Sequence, residues 1–211
     1  MKKFLLFFLL AFSLATSYAE ADNWRLQREA GGIKIFQQAT QSGHAITRGS
    51  VTIDASIDAI VTLMRDHSAC YRWLFSCKQS RLIEQYTEKT RLDYAVIDSP
   101  YLYADRDMYT YTEFTYDRGS QTALIKISGR EAHDKGQAGR VRIKDLQGFW
   151  RLQKLSAQKT AVLYQVYNNP QLPPSGYLEN YLVGSVFQTL KNLAVISKEG
   201  KYRNAQLREL R

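Results

Sequence analysis

The sequence contains few of the residues that most often build metal and nucleotide sites. It has two cysteines and three histidines in 211 residues, and His44, His67 and His133 lie far apart. Cys70 and Cys77 do not have the C-x₂-C spacing of zinc ligands. The chain also lacks an H-E-x-x-H motif, a glycine-rich phosphate loop and the Ser/His/Asp spacing of a catalytic triad. These absences predict that the protein uses no metal and no cofactor.

Long apolar runs are also scarce, and the longest one is at the start of the chain. Residues 4–14 are apolar, two lysines precede them, and Ser17 and Ala19 place small residues at a signal-peptidase site. A run of this length is shorter than the roughly 20 residues that span a bilayer. We therefore expect residues 1–19 to be a signal peptide cleaved after Ala19, and residues 20–211 to be one exported, periplasmic domain. An uncleaved anchor or a buried helix is the alternative.

Export affects how the two cysteines and the positive charge of the chain are interpreted. Cys70 and Cys77 are the only cysteines, and in an oxidising compartment a close pair predicts one short-range disulfide. The net charge is +9, and it would be +7 without the two lysines of the predicted signal peptide. A basic surface favours anionic partners such as lipid headgroups, and export argues against nucleic acid. A surface that only keeps the protein soluble explains the charge equally well.

The pattern of apolar residues predicts an α+β domain. Strand patterns at 32–38 and 45–54 precede a helix capped by Asp54 or Ser56, and six or seven further strand patterns follow, including a strictly alternating one at 108–116. A final helix is predicted at 175–197, with Leu178, Leu182 and Leu190 on one stripe. No repeat or linker divides the chain. The expected fold is a curved antiparallel sheet closed by the last helix.

Several short motifs along this pattern resemble a known family. They are GIKIF at 32–36, an Asp66-to-Trp73 helix–loop segment, ADRDMY around Arg106 and Asp107, GFWRL around Trp150, and the segment with Pro174, Leu178 and Asn180. Their order and spacing across the mature chain resemble the START domain, the lipid-transfer fold of steroidogenic acute regulatory protein and its relatives. The chain resembles an exported bacterial-type member, with the helix-grip fold.

The resemblance implies an apolar cavity that holds one lipid, often a sterol or a phospholipid. It also implies that the C-terminal helix and the loop at 129–140 form a gate. In sterol-binding members an acid on one strand pairs with an arginine on the next strand, inside the cavity. The corresponding positions here are Asp93 and Thr112. The chain keeps the acid and lacks the arginine, which weighs against sterol specificity.

Candidate ligand-binding residues are the polar residues of these motifs and aromatic residues on the strands and the final helix. They are Asp93, Arg106, Tyr109, Tyr111, Trp150, Tyr164, Asn180 and Phe187. For each aromatic residue, ordinary core packing is the alternative. Arg106 has two interpretations: an ion pair with Asp93, Asp105 or Asp107, or a planar fork that binds a lipid phosphate or carboxylate.

These observations favour an exported, monomeric lipid carrier. It would hold one phospholipid, fatty acyl or sterol-like ligand, contact an anionic membrane transiently, and deliver the ligand without chemistry. One alternative is a small cyclase-like enzyme of the same superfamily, for which Asp93 beside Tyr94 is the candidate for acid–base work. The other is a non-enzymatic envelope interaction module that uses the basic C-terminal segment 198–211.

Overall fold

The computed structural model describes residues 23–100, 103–131, 136 and 138–210. The predicted signal peptide lies outside the described residues. The strands are β1 (Arg25–Ala30), β2 (Ile33–Gln38), β3 (Ile46–Ile53), β4 (Cys77–Gln85), β5 (Thr90–Ile97), β6 (Asp105–Asp117), β7 (Thr122–Arg130), β8 (Arg140–Ile143), β9 (Leu146–Ser156) and β10 (Lys159–Asn168). The α-helices are α1 (Ile57–Arg65), α2 (Cys70–Trp73), α3 (Gly176–Ile196) and α4 (Gly200–Arg203). Single 3₁₀ turns lie at His67–Ala69 and Arg208–Leu210.

The strands form one curved, open sheet. Its order is β1-β2-β3-β10-β9-β7-β6-β5-β4, and all neighbours in this order are antiparallel. The short strand β8 pairs in parallel with residues 105–108 of β6, and β7 pairs with residues 109–117 of the same strand. The predicted α+β, helix-grip architecture is confirmed.

Both main helices begin where the sequence places a capping serine. Ser56 Oγ accepts a hydrogen bond from the Ala59 N–H at 3.2 Å at the start of α1. Ser175 Oγ accepts one from the Leu178 N–H at 3.2 Å at the start of α3. Each bond satisfies one backbone donor that the first helical turn leaves free. The long C-terminal helix therefore runs at the predicted position.

Helix α3 lies close against β2 and β3 because β3 has a glycine at the contact. A Cβ on Gly49 would lie 2.5 Å from Leu190 Cδ1 and 2.8 Å from Val186 Cγ1, nearer than carbon atoms can approach. The missing side chain lets the buried residues of α3 reach Ile35 on the neighbouring strand. This contact places α3 across the concave face of the sheet.

The residues after α3 fold back onto α1. Tyr202 in α4 is 1% exposed, and its hydroxyl donates a hydrogen bond to Asp66 at 2.8 Å. Lys201 also binds Asp66, and the Leu207 N–H donates to Asp58 Oδ1 at 2.7 Å. The basic C-terminal segment is therefore docked on the domain through its described residues.

The predicted disulfide between Cys70 and Cys77 is confirmed. It joins α2 to the first residue of β4, with the two Cα atoms 5.8 Å apart. The bridge holds α2 against the sheet, where Trp73 packs edge-on against Trp150 at a ring-centroid distance of 6.2 Å. The disulfide thus fixes one wall of the interior space described below.

The loop predicted at 129–140 is shorter than expected. Gly129 and Arg130 belong to β7, and Arg140 begins β8. A Cβ on Gly129 would lie 2.1 Å from the carbonyl oxygen of Lys144, so this end is packed tightly against the neighbouring backbone. Residues 132–135 and 137 of the predicted gate lie outside the described residues. The gating role stays a prediction.

Candidate functional site

A cavity of about 960 Å³ lies between the concave face of the sheet and α3. Its lining is mainly apolar and comes from the strands β4 to β10 and the helices α1, α2 and α3. The turn after α1, the loops before β6 and α3, and residues 206–208 also contribute. Ligand pockets in proteins typically measure about 300–1,000 Å³ and combine apolar walls with a few polar groups. This cavity is therefore large enough for a lipid-sized molecule.

Alternation along β6 decides which residues face the cavity. Met108, Thr110 and Thr112 line it, whereas Tyr109 and Tyr111 do not. Strict alternation places these two tyrosines on the opposite, convex face, away from the cavity, and their predicted contact with ligand stays untested. The alternation in the sequence separates the two faces of β6, but it does not show which of them faces the cavity.

On the convex face the two tyrosines pack with other tyrosines and arginines. Tyr109 packs against Tyr94 with ring centroids 5.0 Å apart, and the Arg142 guanidinium lies 4.9 Å from the Tyr109 centroid. Arg130 lies 4.6 Å from the ring of Tyr111. Cation–π contacts of this kind cover aromatic rings that would otherwise be exposed on the back of the sheet.

Trp150 and Tyr164 do line the cavity, as predicted. They are cross-strand partners on β9 and β10, and their rings stack with centroids 3.7 Å apart and an interplanar angle of 6°. Burial raises the pKa of the Tyr164 phenol, so this hydroxyl stays neutral. The pair forms a flat aromatic wall.

The two candidates on α3 do not line the cavity. Phe187 is buried in the core on another side of the helix, where the Arg28 guanidinium lies 3.6 Å from its ring centroid. Asn180 is also absent from the lining. Tyr181, Leu182 and Ser185 face the cavity instead. The stripe of α3 divides between the two environments, since Leu178 and Leu182 line the cavity and Leu190 packs on Gly49 of the sheet. Phe187 and Asn180 lie outside the lining, and their predicted ligand contacts stay untested.

Asp93 lies at one end of the cavity in a small polar cluster. Its Oδ2 accepts a hydrogen bond from Arg91 Nε at 2.8 Å, and its Oδ1 lies 2.8 Å from His67 Nε2. The hydroxyl of Thr112 lies 3.5 Å from Oδ2. Arg91 thus supplies the guanidinium that the resemblance would place at position 112. Burial lowers the pKa of Arg91, and the Asp93 carboxylate opposes that effect.

Arg91 and His67 are two cavity-lining residues that were not predicted from the sequence. Arg91 precedes Asp93 by two residues on one strand, so alternation puts both side chains on the same face, and this spacing was a usable signal. His67 arrives from the turn after α1, a contact between distant parts of the chain that no local pattern indicates. It lies 26 positions from Asp93.

Arg106 lies at the other end of the cavity and is 8% exposed. Its guanidinium donates to the carbonyl of Ala104 at 2.6 Å, to the carbonyl of Pro170 at 3.1 Å and to Ser99 Oγ at 3.4 Å. Burial lowers its pKa, and the nearby phenols of Tyr103 and Tyr181 oppose that effect. All three acceptors are neutral.

The predicted ion pair of Arg106 is wrong. Asp105 pairs with Lys78 at 3.0 Å, and Asp107 accepts two bonds from Arg142 at 2.8 and 2.9 Å on the convex face. Asp93 is occupied at the far end. Within the described ranges, no carboxylate forms an ion pair with the Arg106 guanidinium.

The described part of the chain holds neither a metal cluster nor a membrane-spanning helix. There, no group of three or more His, Cys, Asp and Glu side chains is placed to hold a metal ion. No helix among the same residues is both long and apolar enough to cross a membrane.

Comparisons with known proteins agree with this geometry. No family model matches the chain. An uncharacterized protein of Pseudomonas aeruginosa is 28% identical over 179 residues, covering 83% of this chain and 87% of the relative. A STAR-related lipid transfer protein from Xanthomonas axonopodis superposes with a TM-score of 0.76 at 24% identity, over 84% of this chain and all of that one. The chain adopts the START fold. Human StAR-related lipid transfer protein 5 gives a TM-score of 0.74 at 14% identity, over 85% of this chain and 88% of that one.

The START fold of this chain encloses a cavity with two polar ends. Arg106 and Thr112, which is next to Asp93, both face inward on β6 and are six positions apart. At about 3.3 Å per residue the two ends are separated by roughly 20 Å. Met108 and Thr110 lie between them. The Asp93 end has its own counter-ions, whereas no carboxylate within the described residues forms an ion pair with Arg106. Asp98, which follows the strand partner of Arg106 and also lines the cavity, pairs with Lys78 at 2.6 Å instead.

Proposed function

We propose that the protein binds one hydrophobic ligand in this cavity and carries it between membranes. The observation that supports the proposal is the cavity of about 960 Å³, apolar over most of its wall and closed by α3. Removing a lipid tail from water into such a space stabilises the complex by about 2.5 kcal/mol for each 100 Å² of apolar surface buried. The solved neighbours in this fold are named as lipid transfer proteins.

The proposal places the carrier outside the cytoplasm as a monomer. The Cys70–Cys77 disulfide is consistent with an oxidising compartment, and the net charge, which is +7 without the two lysines of the predicted signal peptide, favours transient contact with an anionic membrane surface. Release of the ligand then requires α3 or the segment between β7 and β8 to move away from the cavity.

Native mass spectrometry of protein purified from its own compartment, followed by organic extraction, tests the proposal. We expect a co-purified lipid. Thr110→Trp should obstruct the middle of the cavity and weaken lipid binding while the protein stays folded. Thr115→Trp, on the exposed opposite face of the same strand, is the matched control and should bind lipid normally. A wild-type protein that is empty and does not take up added lipid contradicts the carrier proposal.

One observation favours a second candidate, a cavity enzyme. His67 and Asp93 form a hydrogen-bonded pair at the cavity wall, and such a pair can act as a general base. If it does, extracted lipid returned to the wild-type protein should change in mass, and His67→Asn should abolish the change. An unaltered lipid after prolonged incubation leaves the carrier proposal as the simpler one.

The interaction-module alternative has less support. Its contact surface was the C-terminal segment, but Tyr202 of that segment is buried and Asp66 and Asp58 bind the residues around it. A segment docked in this way is not free to engage a partner without first leaving α1.

A further inference from the structure

We propose that the ligand has an anionic head, a carboxylate or a phosphate, and that Arg106 binds this head at the end of the cavity remote from Asp93. The inference rests on the proposed carrier function and specifies the chemical class of the ligand. It assigns the head to a site different from the acid position that the family resemblance indicates.

The first argument is the buried charge of Arg106. A guanidinium keeps its proton under all ordinary conditions, and transferring an unpaired charge out of water costs several kcal/mol unless a counter-ion or strong hydrogen bonds offset it. Arg106 is 8% exposed, and its three hydrogen bonds go to two backbone carbonyls and one hydroxyl. An anionic ligand oxygen would supply the missing negative charge.

The second argument is the number of donors. A guanidinium has five N–H groups in one plane. Within the described residues, Nη1 of Arg106 makes two bonds and Nη2 makes one, so two of the five N–H groups are left for a ligand. Because carboxylates and phosphates accept two parallel bonds from such a fork, the remaining donors match an anionic head.

An unsatisfied polar group lies close in sequence to Pro170, one of the residues that bind Arg106. Asn168 lines the same cavity, and its Oδ1 is buried without a hydrogen-bond partner in the described part of the chain. It is two residues before Pro170, whose carbonyl accepts a bond from Arg106. A primary amide presents a donor and an acceptor, and the two orientations of its terminal group are close alternatives. Asn168 can therefore add a second polar contact to the head.

The contrast between the two cavity ends completes the argument. At the Asp93 end, Arg91 and His67 lie within 2.8 Å of the carboxylate, so that end is already compensated. The apolar wall between the ends, roughly 20 Å long along β6, suits an extended tail. The ligand is thus oriented with its head at Arg106 and its tail directed toward Thr112.

Equilibrium binding of three probes that share a 16-carbon tail tests the proposal. Palmitate has a carboxylate head, palmitoyl lysophosphatidate has a phosphate head, and 1-hexadecanol is neutral. Delipidated wild-type protein should bind at least one of the anionic probes about 10- to 100-fold more tightly than the alcohol. The ratio of the dissociation constants for palmitate and the lysophosphatidate identifies which head the site prefers.

Two variants locate the effect. Arg106→Gln keeps an amide donor but removes the charge. It should weaken binding of the anionic probes about 10- to 100-fold, while its affinity for hexadecanol stays within about twofold of the wild-type value. Arg151→Gln removes one arginine from the exposed side of β9, and it should change neither the binding of the anionic probes nor that of hexadecanol. If Arg106→Gln does not fold, Arg106→Lys retains the charge and loses the fork, and should lower the preference for anionic probes.

The outcomes separate the inference from the function on which it rests. A wild-type protein that binds hexadecanol as tightly as both anionic probes overturns the anionic-head inference and leaves the carrier proposal standing. The anionic-head inference is also overturned if Arg106→Gln and Arg151→Gln bind the anionic probes with equal affinity. A wild-type protein that binds none of the three probes, nor any extracted lipid, contradicts the carrier proposal itself.

Discussion

Arg106 and Asp107, two neighbouring charged residues on β6, lie on opposite faces of the sheet. Arg106 faces the cavity, and Asp107, the next residue, is 1% exposed on the convex side of the same sheet. Burial alone would raise the pKa of Asp107, but hydrogen bonds from Arg142 and Tyr94 hold it below its ordinary value. Asp107 is therefore a structural carboxylate, and Arg106 is available for ligand.

Replacing Asp107 with asparagine should destabilise the fold strongly. The change removes a buried carboxylate that accepts two hydrogen bonds from Arg142 and one from Tyr94, and removing one partner of a buried pair costs roughly 3–5 kcal/mol in the free energy of unfolding. Urea denaturation measures the loss. Asp105→Asn is the control, because its partner Lys78 is half exposed and such pairs contribute under about 1 kcal/mol. Equal losses in the two variants would show that the Asp107 pair is not stabilising.

Asp66 should make the stability of the protein fall in acid. Hydrogen bonds from Lys201 and Ser68 hold its pKa well below the ordinary value of 3.8, and Tyr202 adds a third bond. A carboxylate with a depressed pKa stabilises the folded state above its unfolded pKa, and that contribution is lost as pH falls through the folded pKa. The urea concentration at the midpoint of wild-type unfolding should therefore fall as the pH is lowered below about 4, where an unfolded carboxylate takes up a proton. Asp66→Asn should drop less steeply over this range; parallel curves contradict the assignment.

At the scale of the elements, the contact of α3 with the sheet depends on one glycine. Gly49→Ala would force a Cβ to 2.5 Å from Leu190 Cδ1, so α3 must shift. Overpacking of this kind typically costs about 1–3 kcal/mol. Gly184→Ala on α3 has open space around the new Cβ and should stabilise the protein by about 0.5–1 kcal/mol through helix propensity. Thermal unfolding of both variants decides this, and a neutral Gly49→Ala would show that the contact is loose.

The sequence predicted elements whose signals are local. Ser56 and Ser175 cap the main helices because a serine hydroxyl satisfies a free backbone donor whatever the tertiary structure. Strand β6 was predicted from its alternation. Strand β1 was missed, since it is an edge strand whose six residues are all exposed and show no alternation.

The parts that could not be predicted depend on contacts between distant segments. Which face of β6 meets the cavity depends on where α3 lies, so the alternation alone did not show that Tyr109 and Tyr111 lie on the convex face. His67 meets Asp93 only after α1 and β5 have packed. Parallel pairing of β8 with β6 likewise has no local signature. Arg91 is the exception, because its two-residue spacing from Asp93 was visible.

At the scale of the whole molecule, the protein combines a basic exterior with an apolar interior. The 29 Lys and Arg exceed the 20 Asp and Glu by nine, and the net charge is +7 without the two lysines of the predicted signal peptide. Such an excess accelerates encounters with anionic surfaces, and salt screens it over a Debye length of about 10 Å at 0.1 M. A carrier built this way should depend on the charge of its target membrane.

Lipid transfer between vesicles should therefore respond to charge and salt together. We expect faster transfer of a fluorescent lipid to vesicles that contain anionic phospholipid than to purely zwitterionic ones. Raising the salt to about 0.5 M, where the screening length falls to a few ångströms, should remove most of that difference. Stopped-flow fluorescence measures the rate. Transfer that is insensitive to both variables would argue that the basic surface serves solubility alone.

The change of partner along β6 creates a boundary in the sheet beside the ligand head. From Tyr109 onward β6 is held by β7 over nine residue pairs, but residues 105–108 are held on that edge by the four residues of β8 alone. Short ladders open more readily than long ones, so β8 can detach while β7 stays in place. The backbone around Arg106 would then loosen as a separate unit, and the end of the cavity that holds the charged head would relax before the end that holds the tail.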